Sequence, residues 1–281
     1  MFRKAAPLVF LILVLGCAPQ PGTNGTTSEV VGQASLRPVR IVDNRLEGAR
    51  TQYPNYRTIA DPTGTAPVPR VERFELRGGD CVGGDCDRDA SSAVTGPITR
   101  ARVEKVIGVN FGDGDSGIFE YSIYFPSTEF NHIPALSTVF GQLFALEGND
   151  FRSSGTDIFA LDKTDSSNGV FAITKQRDRT QNMGRIGDIG TAAFPYDEWI
   201  DIRVEFRLSS TSDGFVQAYV NGRPVSRIEG VTIAPSGRLE YRYGIYQNIS
   251  DSAVSQFGSK DNIPAQVVYY ANHGIRRAEF Q

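Results

Sequence analysis

Apolar and polar residues alternate through Trp199-Ile-Asp-Ile-Arg-Val-Glu-Phe-Arg-Leu208, and the same alternation returns in residues 215–220 and 239–247. Successive side chains of a β-strand point to opposite faces, so each segment is predicted to be a strand with one buried face. Between them, Asn221-Gly222 supplies the positive φ angles of a type I′ turn, which predicts a hairpin that pairs residues 215–220 with 224–228. The stretch therefore indicates antiparallel β-structure.

The last of these segments carries two different faces. Alternation places Tyr241 and Tyr243 on one face, and Arg242, Gly244 and Tyr246 on the other. The second face combines a cation, a residue without a side chain and a phenol. We expect that a groove for a polar polymer could be built on it.

The remainder of the chain continues the same pattern. No window of twelve or more residues has a helical period, and 29 glycines with 17 Phe and 11 Tyr suit short strands joined by turns. Residues 175–190 are predicted to be a polar loop with four cations, which could clamp an anionic chain across the groove or simply be a solvated hairpin. Further strands are predicted at residues 71–77, 99–107, 117–125, 137–146, 157–161, 169–174 and 266–280. Ten or so strands without helices predict an all-β sandwich of two antiparallel sheets, of the jelly-roll type.

The N-terminus has the features of an export signal. Arg3 and Lys4 precede the apolar run 8–15, which is too short to span a bilayer and ends in Gly16-Cys17. Residues 14–17 resemble a bacterial lipobox, in which Cys17 becomes the lipidated first residue of the mature protein; the alternative is an ordinary signal peptide with a cysteine there by chance. We expect an exported lipoprotein at the outer membrane, on its periplasmic face or at the cell surface, anchored by its acyl chains.

Composition indicates where the segments of the chain begin and end, and it argues against one class of partner. Residues 1–17 are predicted to be the signal, 18–68 a flexible tether with a weakly structured lead-in, and 69–281 one β-domain. Within the lead-in, residues 41–49 and 53–59 could be an early strand or a strap across the fold. A net charge of −3 argues against a general nucleic-acid binder. We expect a monomer.

Two small motifs allow a structural and a metal interpretation. Cys81 and Cys86 lie in a Gly-rich loop, where they are predicted to form a disulfide in an oxidising compartment; the alternative is half of a metal site, for which the sequence has no second His or Cys cluster. The acidic turn at residues 113–117 could bind calcium or simply be a turn. We expect no cofactor, with calcium as the one alternative.

Four short motifs in the region from residue 71 onwards carry a family resemblance. They are Phe74-Glu-Leu-Arg-Gly-Gly-Asp-Cys81, Arg102-Val-Glu104, Gln142, and Tyr241-Arg-Tyr-Gly-Ile-Tyr246. The region resembles the jelly-roll polysaccharide lyases of the concanavalin A-like fold, in particular the heparin lyase I and glucuronan lyase type. In that group the corresponding motifs are an Arg-x-Glu, a Gln-x-His and a Tyr-x-Lys-x-Gly-x-Tyr strand, so that Arg242 here stands in place of a lysine.

The resemblance implies cleavage of a uronic acid polymer by β-elimination. The proton at C5 is removed, the C4 oxygen is expelled, and donors must first neutralise the neighbouring carboxylate. Gln142 and Arg102 can donate to that carboxylate, and Tyr246 can serve as acid or base where cations stabilise its phenolate. The resemblance further implies that Arg242 binds the substrate carboxylate or tunes Tyr246, and that Glu104 holds Arg102 in place. We expect Glu104 and Tyr241 to be substrate-binding residues together with Arg242.

One departure from the pattern leaves the activity open. Where the resembled motif has its histidine, this chain has Phe144. The chain has two histidines: His132 lies in a loop before the Gln142 strand, and His273 could approach the groove and bind substrate. Either could take a catalytic role or simply be solvated. The alternatives are a lyase that works with Gln, Arg and Tyr, or a non-catalytic lipoprotein that binds a glycan in the same groove. A glycoside hydrolase is disfavoured because no Glu-x-Asp-x-x-Glu strand is present.

Overall fold

The computed structural model describes residues 36–48, 53–80, 90–92, 96–133, 136–146, 154–161, 171–176, 182–188, 195–209, 211–230 and 238–280. The signal region with Cys17, and the pair Cys81 and Cys86, lie outside these residues, so lipidation and the disulfide stay predictions. Among the described residues, no helix has the length and apolar content needed to cross a membrane.

The described residues form sixteen strands and one α-helix. The strands are β1 Arg37–Pro38, β2 Ile41–Glu47, β3 Tyr56–Ala60, β4 Arg70–Leu76, β5 Ala90–Ser92, β6 Gly96–Val109, β7 Ser116–Tyr124, β8 Leu136–Leu146, β9 Ser154–Leu161, β10 Phe171–Gln176, β11 Asn182–Asp188, β12 Trp199–Arg207, β13 Phe215–Val220, β14 Arg223–Glu229, β15 Arg238–Ile249 and β16 Gln266–Arg277. The helix, α1, spans Asp251–Phe257.

Two eight-stranded sheets contain these strands. Sheet I has the order β14-β13-β12-β7-β16-β4-β3, with β1 beside β16. Sheet II has the order β11-β10-β9-β8-β15-β6-β2, with β5 beside β6. Every pairing between these named strands is antiparallel. The prediction of an all-β, concanavalin A-like jelly-roll sandwich of two antiparallel sheets is confirmed.

The predicted hairpin at the Asn-Gly dipeptide is present. Asn221 and Gly222 have φ angles of 49° and 73°, and β13 pairs with β14 on either side of them. Both positive angles belong to the type I′ turn, whose twist matches that of the flanking strands.

Aromatic side chains fill the space between the sheets. The rings of Phe74 and Tyr270 from sheet I and Tyr243 from sheet II are fully buried and lie 5.3–5.7 Å apart. The hydroxyl of Tyr270 donates to the backbone oxygens of Phe140 and Gly244, each at 2.7 Å. The pairing of β8 with β15 is interrupted between Tyr243 and Tyr246, so this hydroxyl satisfies carbonyls beside a break in the ladder.

Two predicted features differ from the structure. In the lead-in, residues 41–47 and 56–60 form the early strands that the sequence left open, and β2 pairs with β6 while β3 pairs with β4. Much of the predicted polar loop at residues 175–190 belongs to β10 and β11, which pair with each other. The short helix α1 was not expected; it is capped by Ser250 and Gly258, and seven residues are too few for a helical period to show.

Part of the outer face of sheet I is covered by the chain itself. Val71, Tyr124 and Tyr269 are buried there, with residues 66 and 68 and Trp199 packed against them. The indole of Trp199 also donates to Thr63 Oγ1 at 3.1 Å. The segment between β3 and β4 therefore buries apolar surface on this part of the outer face of sheet I. This covered part is not a candidate groove for a polymer.

Candidate functional site

Three neighbouring strands of sheet II carry the main predicted site residues. Tyr246 on β15 is the register partner of Arg102 on β6, and Arg242 is the partner of Gln142 on β8. Residues 101, 103, 241 and 243, which alternate with them, are buried in the core between the sheets. Arg102, Arg242 and Tyr246 therefore point away from the core, to the outer face of sheet II.

Gln142 lies on the same outer face. Its neighbour Leu143 belongs to the core, and a Cβ on Gly141 would contact the buried ring of Tyr121. The residue between two inward-facing positions points outward. Gln142 is 5% exposed. The side chain of Phe144 lies outside the described part of the structure; its backbone pairs with Glu240.

The guanidinium of Arg102 contacts both the phenol and two carboxylates. It lies 4.6 Å from the centre of the Tyr246 ring, and it donates to Glu47 at 3.1 Å and to Glu104 at 3.3 Å. Glu104 is 1% exposed, so its charge requires such a partner. The hydroxyl of Tyr246 donates to Asn248 Oδ1 at 3.2 Å. The arrangement places a positive charge directly beside the ring that would become negative as a phenolate.

Arg242 is held in a similar way. It donates to Glu47 Oε2 at 3.2 Å and to Glu240 Oε2 at 2.6 Å. Burial disfavours the charged form of Glu240, but hydrogen bonds from Arg45 and Arg242 outweigh this effect and hold the pKa of that carboxyl below its ordinary value. Glu240 is therefore ionised at neutral pH and fixes the two arginines.

The sequence analysis did not identify Arg45, Glu47 and Glu240 as site residues. Arg45 and Glu47 lie on the edge strand β2, and Glu240 lies on β15 two residues before Arg242. One signal was present, the alternation of charged residues at 43, 45 and 47, but it does not specify which strand lies next to β2. Among the described residues of this network, Asp43, Glu47, Glu104 and Glu240 accompany the cations Arg45, Arg102 and Arg242.

Tyr241 does not lie on this face, which corrects its prediction as a substrate-binding residue. It is 2% exposed, and its hydroxyl is 3.0 Å from His273 Nδ1 between the sheets. The physical reason is the two-residue period of a β-strand. Tyr241 directly precedes Arg242, so the two side chains point to opposite faces of the sheet. Burial raises the pKa of Tyr241 far above its ordinary value.

His273 is also on the wrong side of sheet II to bind substrate with the arginines. It lies within a bulge of β16, where Asn272 has a φ angle of 49°. Its ring stacks on Tyr243 at 4.8 Å, and its Nε2 is 3.2 Å from Glu72. Tyr241, His273 and Lys105 line a cavity of about 560 Å³ that also touches residues 36–39. His132 lies in the loop before β8, where its backbone N–H donates to Tyr196.

The acidic turn at residues 113–117 connects β6 to β7. The carboxylate of Asp115 accepts from the backbone N–H of Gly112 at 2.6 Å and pairs with Arg277 at 2.5 Å. These bonds give the carboxylate a structural role in closing the turn. Within the described ranges, no cluster of three His, Cys, Asp or Glu side chains could hold a metal ion.

Comparisons with known proteins agree with the fold. A family model described as polysaccharide lyase matches residues 50–273. The structure of an alginate lyase Aly36B mutant in complex with alginate trisaccharide has a TM-score of 0.51 and 14% identity, covering 87% of this chain and 99% of that one. A second mutant of this lyase, in complex with alginate tetrasaccharide, has a TM-score of 0.50 and 14% identity, covering 84% and 87%.

An endo-β-1,4-glucuronan lyase from the fungus Trichoderma reesei has a TM-score of 0.48 and 12% identity, covering 86% of this chain and 90% of that one. No curated protein matches the chain.

Proposed function

Because the chain belongs to the polysaccharide lyase family, we propose that it cleaves an acidic polysaccharide by β-elimination on the outer face of sheet II. Family membership supports a polysaccharide-degrading or polysaccharide-binding function. The observation that carries the finer proposal is the placement of Arg102, Gln142, Arg242 and Tyr246 on one face, with the Arg102 guanidinium 4.6 Å from the Tyr246 ring.

The first requirement is to neutralise the carboxylate of a uronic acid. A carboxylate withdraws too little charge from C5 while it is free in water, and donors fixed around it make the C5 proton more acidic. Arg102 and Arg242 each present a planar fork that fits a carboxylate, and Gln142 is the direct register partner of Arg242. These three residues are assigned to the carboxylate.

The second requirement is proton transfer. As a phenolate, Tyr246 takes the C5 proton; the C4–C5 double bond forms as the C4–O bond breaks, and the expelled oxygen receives a proton. Tyr246 can return that proton in the same cycle if it lies on the side of the leaving oxygen. Arg102 beside the ring stabilises the phenolate electrostatically.

A second candidate function is non-catalytic binding of the same polymer. The observation that favours it is Phe144, which stands where the resembled Gln-x-His motif has a histidine. Without that donor or base, the face keeps the groups that bind a carboxylate and loses one that drives the chemistry. In either case we propose an exported lipoprotein anchored through Cys17, at the outer membrane or the cell surface.

The test is an elimination assay with purified full-length chain in non-ionic detergent. Alginate, glucuronan, heparin-type and pectic chains are supplied, and absorbance from the new C4–C5 double bond is followed. We expect cleavage of one of them, and a loss of about 100-fold or more in Tyr246→Phe, the range for removal of a general acid–base group. The matched control is Tyr219→Phe, a partly buried tyrosine of sheet I whose hydroxyl bonds to Glu205.

Three outcomes separate the alternatives. Cleavage that survives in Tyr246→Phe would remove Tyr246 from the mechanism. Binding without cleavage by the wild-type chain would favour the binding protein, and Phe144→His would then be the variant to test for a gain of activity. The absence of both binding and cleavage on all four substrates would refute the proposed function.

A further inference from the structure

Glu47 makes an unusual set of contacts on the outer face of sheet II. Its Oε2 accepts from Arg102 at 3.1 Å and from Arg242 at 3.2 Å, and its Oε1 accepts from Arg45 at 2.9 Å. The two arginines are on different strands, β6 and β15, and they converge on one carboxylate oxygen. The face therefore already contains a carboxylate-binding position, and a residue of the protein itself occupies it.

The fold is built to hold Glu47 at this position. The next residue, Gly48, has a φ angle of 77° and lies so close to β6 that a Cβ would overlap the carbonyl of Arg102. The carbonyl of Gly48 accepts from the side chain of Asn55, which is 2% exposed, at 2.7 Å. Glycine permits both the positive φ angle and the close approach, so the end of β2 is fixed beside Arg102.

We propose that Glu47 is an internal stand-in for the carboxylate of the acidic polysaccharide, and that substrate binds by displacing it from Arg102 and Arg242. This inference rests on the proposed function, because that function assigns these two arginines to the substrate. A uronate carboxylate has the same charge and the same pair of oxygens as the Glu47 side chain, so the two compete for the same donors.

Displacement is physically feasible. β2 is the edge strand of sheet II and pairs only with β6 in the described sheet, and its side chains are exposed or partly exposed. The side chain of Glu47 itself is 27% exposed, so water and ions reach it and weaken the ion pairs. Its second oxygen is bound by Arg45, which can keep the charge of Glu47 paired after Oε2 has left the other two arginines.

The consequence is selectivity. A neutral glycan gains nothing by displacing Glu47, since it has no charge to exchange. A carboxylate-bearing chain replaces one set of charge-assisted bonds with an equivalent set. Glu47 thus reduces the affinity for every ligand that must use the two arginines. Only a carboxylate placed so that it bonds to both arginines offsets the free energy needed to displace Glu47.

The test measures binding of alginate and glucuronan tetrasaccharides by calorimetry, with full-length chain in the Tyr246→Phe background so that the ligand is not cleaved. If Glu47 occupies the arginines for about nine-tenths of the time, Glu47→Gln is expected to bind the tetrasaccharide about tenfold more tightly. The carboxyl-reduced tetrasaccharide is expected to bind both proteins equally. Glu47→Asp keeps the charge but has a shorter side chain. Its affinity for the tetrasaccharide is expected to lie between that of the protein with Glu47 and that of Glu47→Gln.

Asp43→Asn is the matched control. Asp43 lies on the same strand and pairs with Arg45, and its side chain is 26% exposed, close to the 27% of Glu47. The Asp43→Asn substitution therefore removes one negative charge from the same face of sheet II as Glu47→Gln does. An equal gain in Asp43→Asn and Glu47→Gln would mean a general charge effect and would overturn the inference.

The remaining outcomes also decide. Binding by the Tyr246→Phe chain with no gain in Glu47→Gln would overturn the inference and leave the proposed function standing. No binding by any variant, Glu47→Gln included, would overturn both. Because Glu47→Gln preserves the shape of the side chain, it is expected to remain folded at the temperature of the binding assay, and thermal unfolding of both variants identifies one that has failed to fold.

Discussion

Gly244 is the residue at which an added methyl group should most clearly damage the site. It lies between Arg242 and Tyr246 on β15, at the interruption of the β8–β15 ladder, with a φ angle of 138°. A Cβ there would overlap the carbonyl oxygen of Val103 and lie 2.8 Å from the Cα of Glu104. Both neighbours are backbone atoms of β6, which cannot move aside without shifting the strand that carries Arg102.

The cost of Gly244→Ala has two parts. Holding an alanine at such a φ angle costs about 1–3 kcal/mol. Forcing the Cβ against the backbone of β6 and the ring of Phe74, 3.2 Å away, costs about 1–3 kcal/mol more. We therefore expect a loss of about 4 kcal/mol in the free energy of unfolding. For a domain of this size this lowers Tm by about 10 °C.

Gly222→Ala separates the two parts. Gly222 also has a positive φ angle, 73°, but no atom lies within 4 Å of its built Cβ. In this control the free energy of unfolding is expected to fall only by the conformational cost of the positive φ angle, about 1–2 kcal/mol. The assay is urea unfolding of both variants, followed by binding and cleavage at a temperature where both are folded. Equal losses in the two variants would refute the argument from the close approach of β6.

Three further predictions concern the neighbouring groups. Arg102→Lys keeps the charge but loses the planar fork, so kcat/KM on the polymer should fall about tenfold or more while unfolding changes little. Tyr241→Phe should leave polymer affinity unchanged and cost about 1 kcal/mol in urea unfolding, because the bond to His273 is lost inside the core. Burial lowers the pKa of His273 below its ordinary 6.5, so the unfolded chain binds a proton at a higher pH than the folded protein does, and stability should decrease as the pH falls below 6.5. His273→Asn should flatten that part of the stability curve measured by urea unfolding, and an unchanged slope would contradict the assignment.

The outer-face residues could be found from the sequence because they follow a local rule. The period of two separates Arg242 and Tyr246 from Tyr241 and Tyr243, and the structure places the two pairs on opposite sides of sheet II. The same rule directs Tyr241 to the core, although it belongs to the resembled motif. Membership of a motif does not by itself place a side chain on the outer face.

The carboxylates around the arginines could not be found in this way. Glu47 meets Arg102 across 55 positions of sequence and Arg242 across 195. Those contacts depend on β2 pairing with β6 in one particular register, and register is set by the packing of whole sheets. A sequence pattern identifies which side chains share a face of one strand, but it does not identify the partner strand.

The hydroxyl of Tyr270 connects β8 and β15, two of the strands that carry the proposed site, through hydrogen bonds to both. It belongs to sheet I, yet it bonds to the carbonyls of Phe140 on β8 and Gly244 on β15, within three residues of Gln142 and Arg242. The spacing of the two strands is thus supported from the opposite layer of the protein, by a residue that is fully buried. A substitution at position 270 is therefore expected to change the geometry of the proposed site without altering any residue of its outer face.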